Sequence, residues 1–521
     1  MTGVRVHYWV SGLAFHLSPF SFHPSAARRI AGPGPACALA AACRWIAVLA
    51  AAVISIALVS GRNASAETYW SGGNQLEYSL AREGGREILE DWFDMEWSSD
   101  DLSAGLRYEM FHPHEMSPDS TNHGIPFKYL NYSSRTMTLT VGNFYTLFGR
   151  GLALRTYEDR GIRKDSNLEG IKLEMTSGPA GITLLSGKTL NQRGEHRDLL
   201  HGLDINVEPL GFLRAGLSYL SNSAPRQPGT RTHELTTWRV QLATGSFDLY
   251  LEKGNRSGSW DFCSTDHDQG RGFYGAVSLA LDHVGISVEH KDYRGFRFLQ
   301  SDCATEYNLP PALIREHTFT LLNRHPHELD SDDEKGTQVE ILASAGPLGD
   351  FLISSSKTDN QDGRLQFQET YFQWEKTLES GQVLAAVDFA KRPEQNQITL
   401  VGEAKTWFRE EMSVKAQLQH QHVDGLSIGQ YDDDLFLVEF SPSVDLSFSL
   451  IAEYTNKSEL QTSDPGERTN WLHGIVTRSI GTHHYASLMY GTRQAGFLCA
   501  GGVCRYEPAF DGLEFKLFST F

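Results

Sequence analysis

From about residue 88 onward, apolar and polar residues alternate over segments of roughly 8 to 12 residues. Leu446, Phe448, Leu450, Ala452 and Tyr454 interleave with Ser447, Ser449, Ile451 and Glu453. Met412, Val414, Ala416 and Leu418 interleave with Ser413, Lys415, Gln417 and Gln419, and Leu203, Ile205 and Val207 with Asp204, Asn206 and Glu208. A β-strand points successive side chains to opposite faces, so each segment reads as a strand lying between two unlike solvents.

Turn lengths say which solvents. Short turns, several with Gly, Pro or Asp, fall at 98–101, 177–181, 208–211, 244–246, 282–285, 346–350, 379–381, 409–411, 441–445 and 480–483. Longer polar linkers separate these hairpins at 112–134, 256–270, 297–334, 424–432, 458–468 and 495–508. A β-sandwich also alternates, but has no reason to sort its loops by length. A transmembrane barrel does sort them. The ten hairpins give 20 strands, and Arg135–Gly142 with Leu513–Phe521 makes about 22. Asn74–Ala81 and Phe144–Tyr157 raise the count to 24. The expected fold is all-β: an antiparallel up-and-down transmembrane barrel over 67–521, with short periplasmic turns and long extracellular loops. Closure satisfies the backbone groups that an open edge leaves bare in lipid. The 19 Tyr, 28 Phe and 10 Trp suit the two headgroup girdles. A mean hydropathy of −0.34 is ordinary for a barrel with a wet lumen.

Residues 1–66 hold five Arg and no Lys or acid, so 67–521 carry −23 of the net −18 (−18 − 5). Arg44, the apolar run Trp45–Val59 and Ala64-Ser65-Ala66 before Glu67 spell a cleaved secretory signal peptide with an extended N-terminal region. A retained signal anchor is the alternative. After residue 66 no apolar run approaches the roughly 20 residues of a membrane helix. The acidic balance argues against nucleic acid as a partner. Four Cys remain after the signal, and an even number in an exported chain points to disulfides, here Cys263–Cys303 and Cys499–Cys504.

Leu513, Phe515, Leu517 and Phe521 share one face of the last segment. A final aromatic with alternating apolar residues resembles the signature read by the bacterial barrel-assembly machinery, from which Ser519 departs. The stretches GNFYTLFGRGLALRTYEDR (142–160), NLPPALIREHTFTLLNRHPHEL (308–329) and GGVCRYEPAFDGLEFKLFSTF (501–521) resemble an uncharacterised family of bacterial outer-membrane, porin-like barrels. That resemblance implies fold and location, and no activity.

Two segments break the strand pattern. Segment 144–164 carries Gly149, Gly151 and the cations Arg150, Arg155, Arg160, Arg163 and Lys164. Folded into the lumen, such a row forms an anion-favouring constriction. Paired with Glu158, Asp159 and Asp165, it instead braces the wall. In 297–334, Ala312–Arg324 has helix-like spacing after Pro310-Pro311. His325, His327, Asp330, Asp332 and Asp333 then offer donors to a cation, without the ordered spacing of a calcium loop. A solvated acidic loop beside lipopolysaccharide accounts for them as well, and for Asp432-Asp433-Asp434. His420 and His422 share a strand face opposite Gln417, Gln419 and Gln421, near the headgroup rim. No local motif singles out a nucleophile with its base, so neither enzymatic activity nor a cofactor is expected. The expected function is passive diffusion of small polar solutes through the outer membrane. The alternative is a surface-exposed binding or assembly protein with a plugged lumen.

Overall fold

In the computed structural model, 24 strands form one antiparallel sheet in up-and-down order. The structure describes residues 68–521 apart from 83–85, 113–121, 191–193, 226–229, 259–262, 264–267, 325–326, 410, 427–428, 458–467 and 501. The region read as an export signal, 1–66, lies outside the described residues. The sheet closes on itself because the first strand, Thr68–Ala81, pairs with both Glu87–Ser99 and the last strand, Phe510–Thr520. Beyond that seam, Gly72 and Phe521 exchange backbone hydrogen bonds at 2.9 and 3.1 Å. The Phe521 ring stacks on Phe93 with centroids 5.8 Å apart. A side chain at Gly72 would meet that ring at 2.6 Å, so only glycine admits it.

All ten expected short turns join adjacent strands on one rim, and an eleventh, 134–136, joins Asn122–Ser133 to Met137–Phe144. The 24 strands lie at the upper end of the expected 22 to 24, though one of the added strands is not the one expected. Asn122–Ser133 hides inside the linker read as 112–134, while Phe144–Tyr157 does not span the wall but turns inward after Phe144. Pro126 explains the first miss. It has no N–H to give the ladder, and it sits where the pairing with Leu102–His112 shifts register. The linker 424–432 shrinks to the few residues between Met412–Gly425 and Gly429–Ser443, which places Asp432, Asp433 and Asp434 on a strand.

The register turns the alternation into two belts. Leu279, Ile286, Ile341, Ile353, Phe372, Val387 and Leu400 stand side by side on successive strands, facing outward. One residue along, Ser287, Glu340, Ser354, Tyr371, Asp388, Thr399, Gln421, Asp433 and Thr455 form the matching inward row. An apolar belt on the convex face with a polar concave face is the arrangement lipid demands. On the outward face His420 and His422 meet Asp434 and Asp432 at 2.8 and 2.7 Å. Gln417, Gln419 and Gln421 are buried inward.

Candidate functional site

Three connections on the long-loop rim fold into the barrel. The first, 145–167, consists of two tiny hairpins, Leu147–Phe148 with Leu154–Arg155 and Glu158–Asp159 with Lys164–Asp165. Gly149 and Gly151, at φ +62° and +89°, supply the left-handed turn between the first pair. There the backbone N–H of Arg150 donates to Glu252 on the wall at 3.0 Å. The turn drives Leu152, Ala153 and Leu154 to complete burial. They pack against Leu185, Leu200, Leu220, Leu235, Tyr274 and Tyr293 of the wall and against Phe296, Phe298, Tyr307 and Leu313 of the second connection. The lumen therefore holds a dry apolar core, with the interdigitated packing that excludes water.

The second connection, 295–332, leaves the wall after Arg294 and crosses the interior. Leu309 donates its N–H to Gly151 at 3.1 Å, Arg155 donates its N–H to Tyr307 at 3.0 Å, and Asn308 donates to the carbonyls of Leu152 and Phe296. Farther on, His317 meets Glu369 at 3.0 Å. Leu321 donates its N–H to Gln419 and accepts from Gln421, both at 2.9 Å. Arg324 reaches Glu453, with Asp433 at 3.7 Å. These partners are lumen-facing polar side chains of the far wall. The helix expected over 312–324 is reduced to a single 3-10 turn, Leu321–Asn323, because Leu313 takes φ +56° and breaks any helix after Pro311. Cys263–Cys303, with Cα atoms 5.5 Å apart, staples this connection to 258–268.

The third is the hairpin Gly496–Ala500 with Val503–Glu507, closed by Cys499–Cys504. Arg505 donates to the carbonyl of Gly161 at 3.1 Å, and the carbonyl of Gly502 accepts from Leu329 N–H at 3.2 Å. It thus binds the first two connections together.

The five candidate cations are spread over this plug and differ in their surroundings. Arg163 pairs with Glu77 at 2.8 Å and with the buried Glu90 at 2.6 Å. Arg160 bridges Asp94 and Glu158, both at 2.6 Å. Trp92 lies beneath both guanidinium groups. Arg107 of the wall joins the same network through Asp94, Glu158 and Asp165. Arg150 stacks on Tyr250 at 4.8 Å. Arg155 stacks on Tyr157 at 5.1 Å, and among the described residues neither it nor Lys164 has a carboxylate within 4 Å.

A cavity of about 280 Å³ opens where the three connections meet, and Arg155, Tyr157, Lys164, Arg297, Asn308 and Glu306 line it. The Tyr157 hydroxyl is buried and has no hydrogen-bond partner. Burial pushes the phenol above its ordinary range, with Arg155 pulling down and Asp159 up, so it stays a proton donor.

The candidate metal donors diverge. His327 stacks on Phe367 and contacts Glu334, Asp330 accepts from the N–H of Asp332, and Asp333 accepts from Gln361. Asp332 accepts the N–H of Arg297 at 2.9 Å. His325 lies outside the described residues. Among the described residues no three His, Cys, Asp or Glu side chains converge as a metal site.

Sequence alternation alone misses the inward Leu185, Leu200, Leu220 and Leu235. A local signal exists for some of them: at Leu184-Leu185 and Leu199-Leu200 both faces are apolar, whereas Leu235 lies between Glu234 and Thr236 and gives none. A strand apolar on both faces is covered on both.

A family model described as a family of unknown function (DUF6029) matches residues 44–346 and 360–521. No curated protein sequence matches the chain. Among solved structures, it is similar to the translocation pore of the P pilus usher PapC at 8% identity and a TM-score of 0.43, covering 87% of this chain and 99% of that one. The siderophore receptor PirA from Pseudomonas aeruginosa gives 9% identity and 0.42, over 87% and 80%. Pseudomonas aeruginosa OpdH gives 12% and 0.38, over 75% and 98%.

Proposed function

We propose, for a chain that belongs to the DUF6029 family of unknown function, that it is an outer-membrane barrel whose own loops narrow the lumen to a selective passage for small polar solutes. One observation carries this: 145–167 and 295–332 meet over the barrel interior, bonded to each other and to opposite walls. An empty barrel of 24 strands is an open aqueous pore. The apolar core around Leu152 and Phe298 removes water from part of that interior. What remains is lined by Gln, Asp, Glu and Thr of the inward row, groups suited to hydrated polar solutes. Lipid and lipopolysaccharide surround the outward belt, the barrel-assembly machinery inserts it, and the protein performs no chemistry of its own. Export through a cleaved signal over 1–66 belongs to the same proposal.

A second reading, a surface-binding protein with a sealed lumen, is favoured by the neutralisation of Arg160 and Arg163 by acids. Planar-bilayer recording separates the two. The passage reading expects a small, steady conductance that rises severalfold when 313–324 is replaced by a short Gly/Ser bridge. Large currents from the unaltered protein would return it to a simple diffusion pore, and a silent bilayer from folded protein of both kinds would mean a sealed barrel.

A further inference from the structure

We infer that the cavity at the junction of the three infolded connections is a binding site for a small oxyanion, a carboxylate or a phosphate; the inference rests on the plug being the solute-facing part of the barrel. Four features of the molecule converge there.

First, Arg155 and Lys164, neither of which has a carboxylate within 4 Å among the described residues, line the same cavity. Arg160 and Arg163, by contrast, are neutralised by wall or loop acids. Leaving two cations half-buried without a partner costs free energy unless an anion completes them. Second, Tyr157 lines this cavity and its buried hydroxyl has no hydrogen-bond partner, so an acceptor oxygen that reaches it completes a bond the protein leaves open. The Arg155 guanidinium lies over the Tyr157 ring, so donors and charge are held on one side.

Third, the remaining charges set selectivity. Arg297 is bound to Glu306 at 2.5 Å, and this pair contributes no net charge. Glu328 is exposed at the rim. The lining therefore holds three cations against two acids, a site for low charge rather than for a polyanion. Fourth, the volume of about 280 Å³ corresponds to about nine waters at ~30 Å³ each. It has room for a compact anion.

The site has three independent walls. Arg155, Tyr157, Lys164 and Ser166 come from the first connection, Arg297, Ala304, Glu306, Asn308 and Leu309 from the second, and Gly502, Val503 and Cys504 from the third. Its shape thus depends on the plug being assembled, and the Cys499–Cys504 disulfide holds the third wall.

The test is calorimetric titration of the folded full-length barrel in detergent with sodium phosphate, with sodium acetate and with methylammonium chloride. Saturable binding of phosphate or acetate at millimolar concentration or below is expected, with no response to methylammonium. The stronger of the two anions identifies the class. Arg155→Gln and Lys164→Gln should each weaken binding about tenfold, the loss of one charged hydrogen bond. Lys164→Arg should retain binding, and Tyr157→Phe, which leaves the packing in place, should weaken it a fewfold. Absence of saturable anion binding, equal binding of methylammonium, or unchanged affinity in Arg155→Gln, Lys164→Gln and Tyr157→Phe would overturn the proposal. Binding is read without a membrane, so a silent bilayer and an empty site are separate results.

Discussion

Gly151 and Leu309, 158 positions apart (309 − 151), meet inside the barrel: the N–H of Leu309 donates to the Gly151 carbonyl at 3.1 Å. A side chain at Gly151 would lie 2.3 Å from the Leu309 carbonyl oxygen, and the residue sits at φ +89°. Gly151→Ala therefore has to part the two connections or distort the turn, at about 1–3 kcal/mol. The expected outcome is new protease cleavage within 145–167 and 295–313 while the barrel keeps its heat-modifiable mobility on gels. Resistance equal to the parent protein would show that the two connections do not depend on this contact.

Arg163 stands between Glu77 and Glu90, the latter 1% exposed. Arg163→Met removes the cation from the buried Glu90, while Glu77 keeps Lys516 at 3.4 Å, and breaking a buried pair costs about 3–5 kcal/mol. Amide exchange through 158–165 should accelerate, and adding Glu90→Gln should recover part of the protection because the carboxylate facing the lost cation is neutralised. No recovery in the double variant would place the effect in packing against Trp92.

Cys263, Cys303, Cys499 and Cys504 should resist alkylation in the folded and in the denatured but unreduced chain, and all four should react after reduction. Cys263–Cys303 closes 40 residues and Cys499–Cys504 closes 5. Loop entropy assigns them roughly 4 and 2 kcal/mol. Losing the first should loosen 295–332, and losing the second should free the hairpin from Gly161 and Leu329.

Asp332 is held chiefly by burial at a proton affinity of about 6; the Arg297 N–H and charge and Arg256 pull down, while Asp330 pushes up. Its ordinary value is near 3.8, so between about pH 4 and 6 the folded chain holds a proton that the unfolded one has released. Docking of 295–332 should weaken as pH rises through that window and level off above it. Limited proteolysis at pH 4.5 and 7 reads this directly, with faster cleavage expected at pH 7. In Asp332→Asn the difference should shrink.

Legibility followed physics. The turns were readable because Gly, Pro and Asp mark tight reversals, and the belts because alternation has no second explanation at membrane depth. Cys499 and Cys504 were pairable by proximity alone. Asn122–Ser133 escapes the alternation because of Pro126, and Asp432–Asp434 reads as a loop because three acids in a row look solvated. On the strand, Asp432 and Asp434 are paired by His422 and His420 across the ladder, while Asp433 faces Arg324. The plug was visible as a break in periodicity at 144–164 and 297–334, but not its partners. Whether Arg160 lines an opening or braces a wall depends on Asp94, 66 residues away, which spacing cannot reveal.

Electron cryomicroscopy of the protein in lipid nanodiscs tests the central claim most directly. A section through the long-loop half of the barrel is expected to show density running from the wall at Tyr293, past Leu152, to the far wall at Glu453. A hollow ring, with 145–167 and 295–332 both lying outside the barrel, would contradict it.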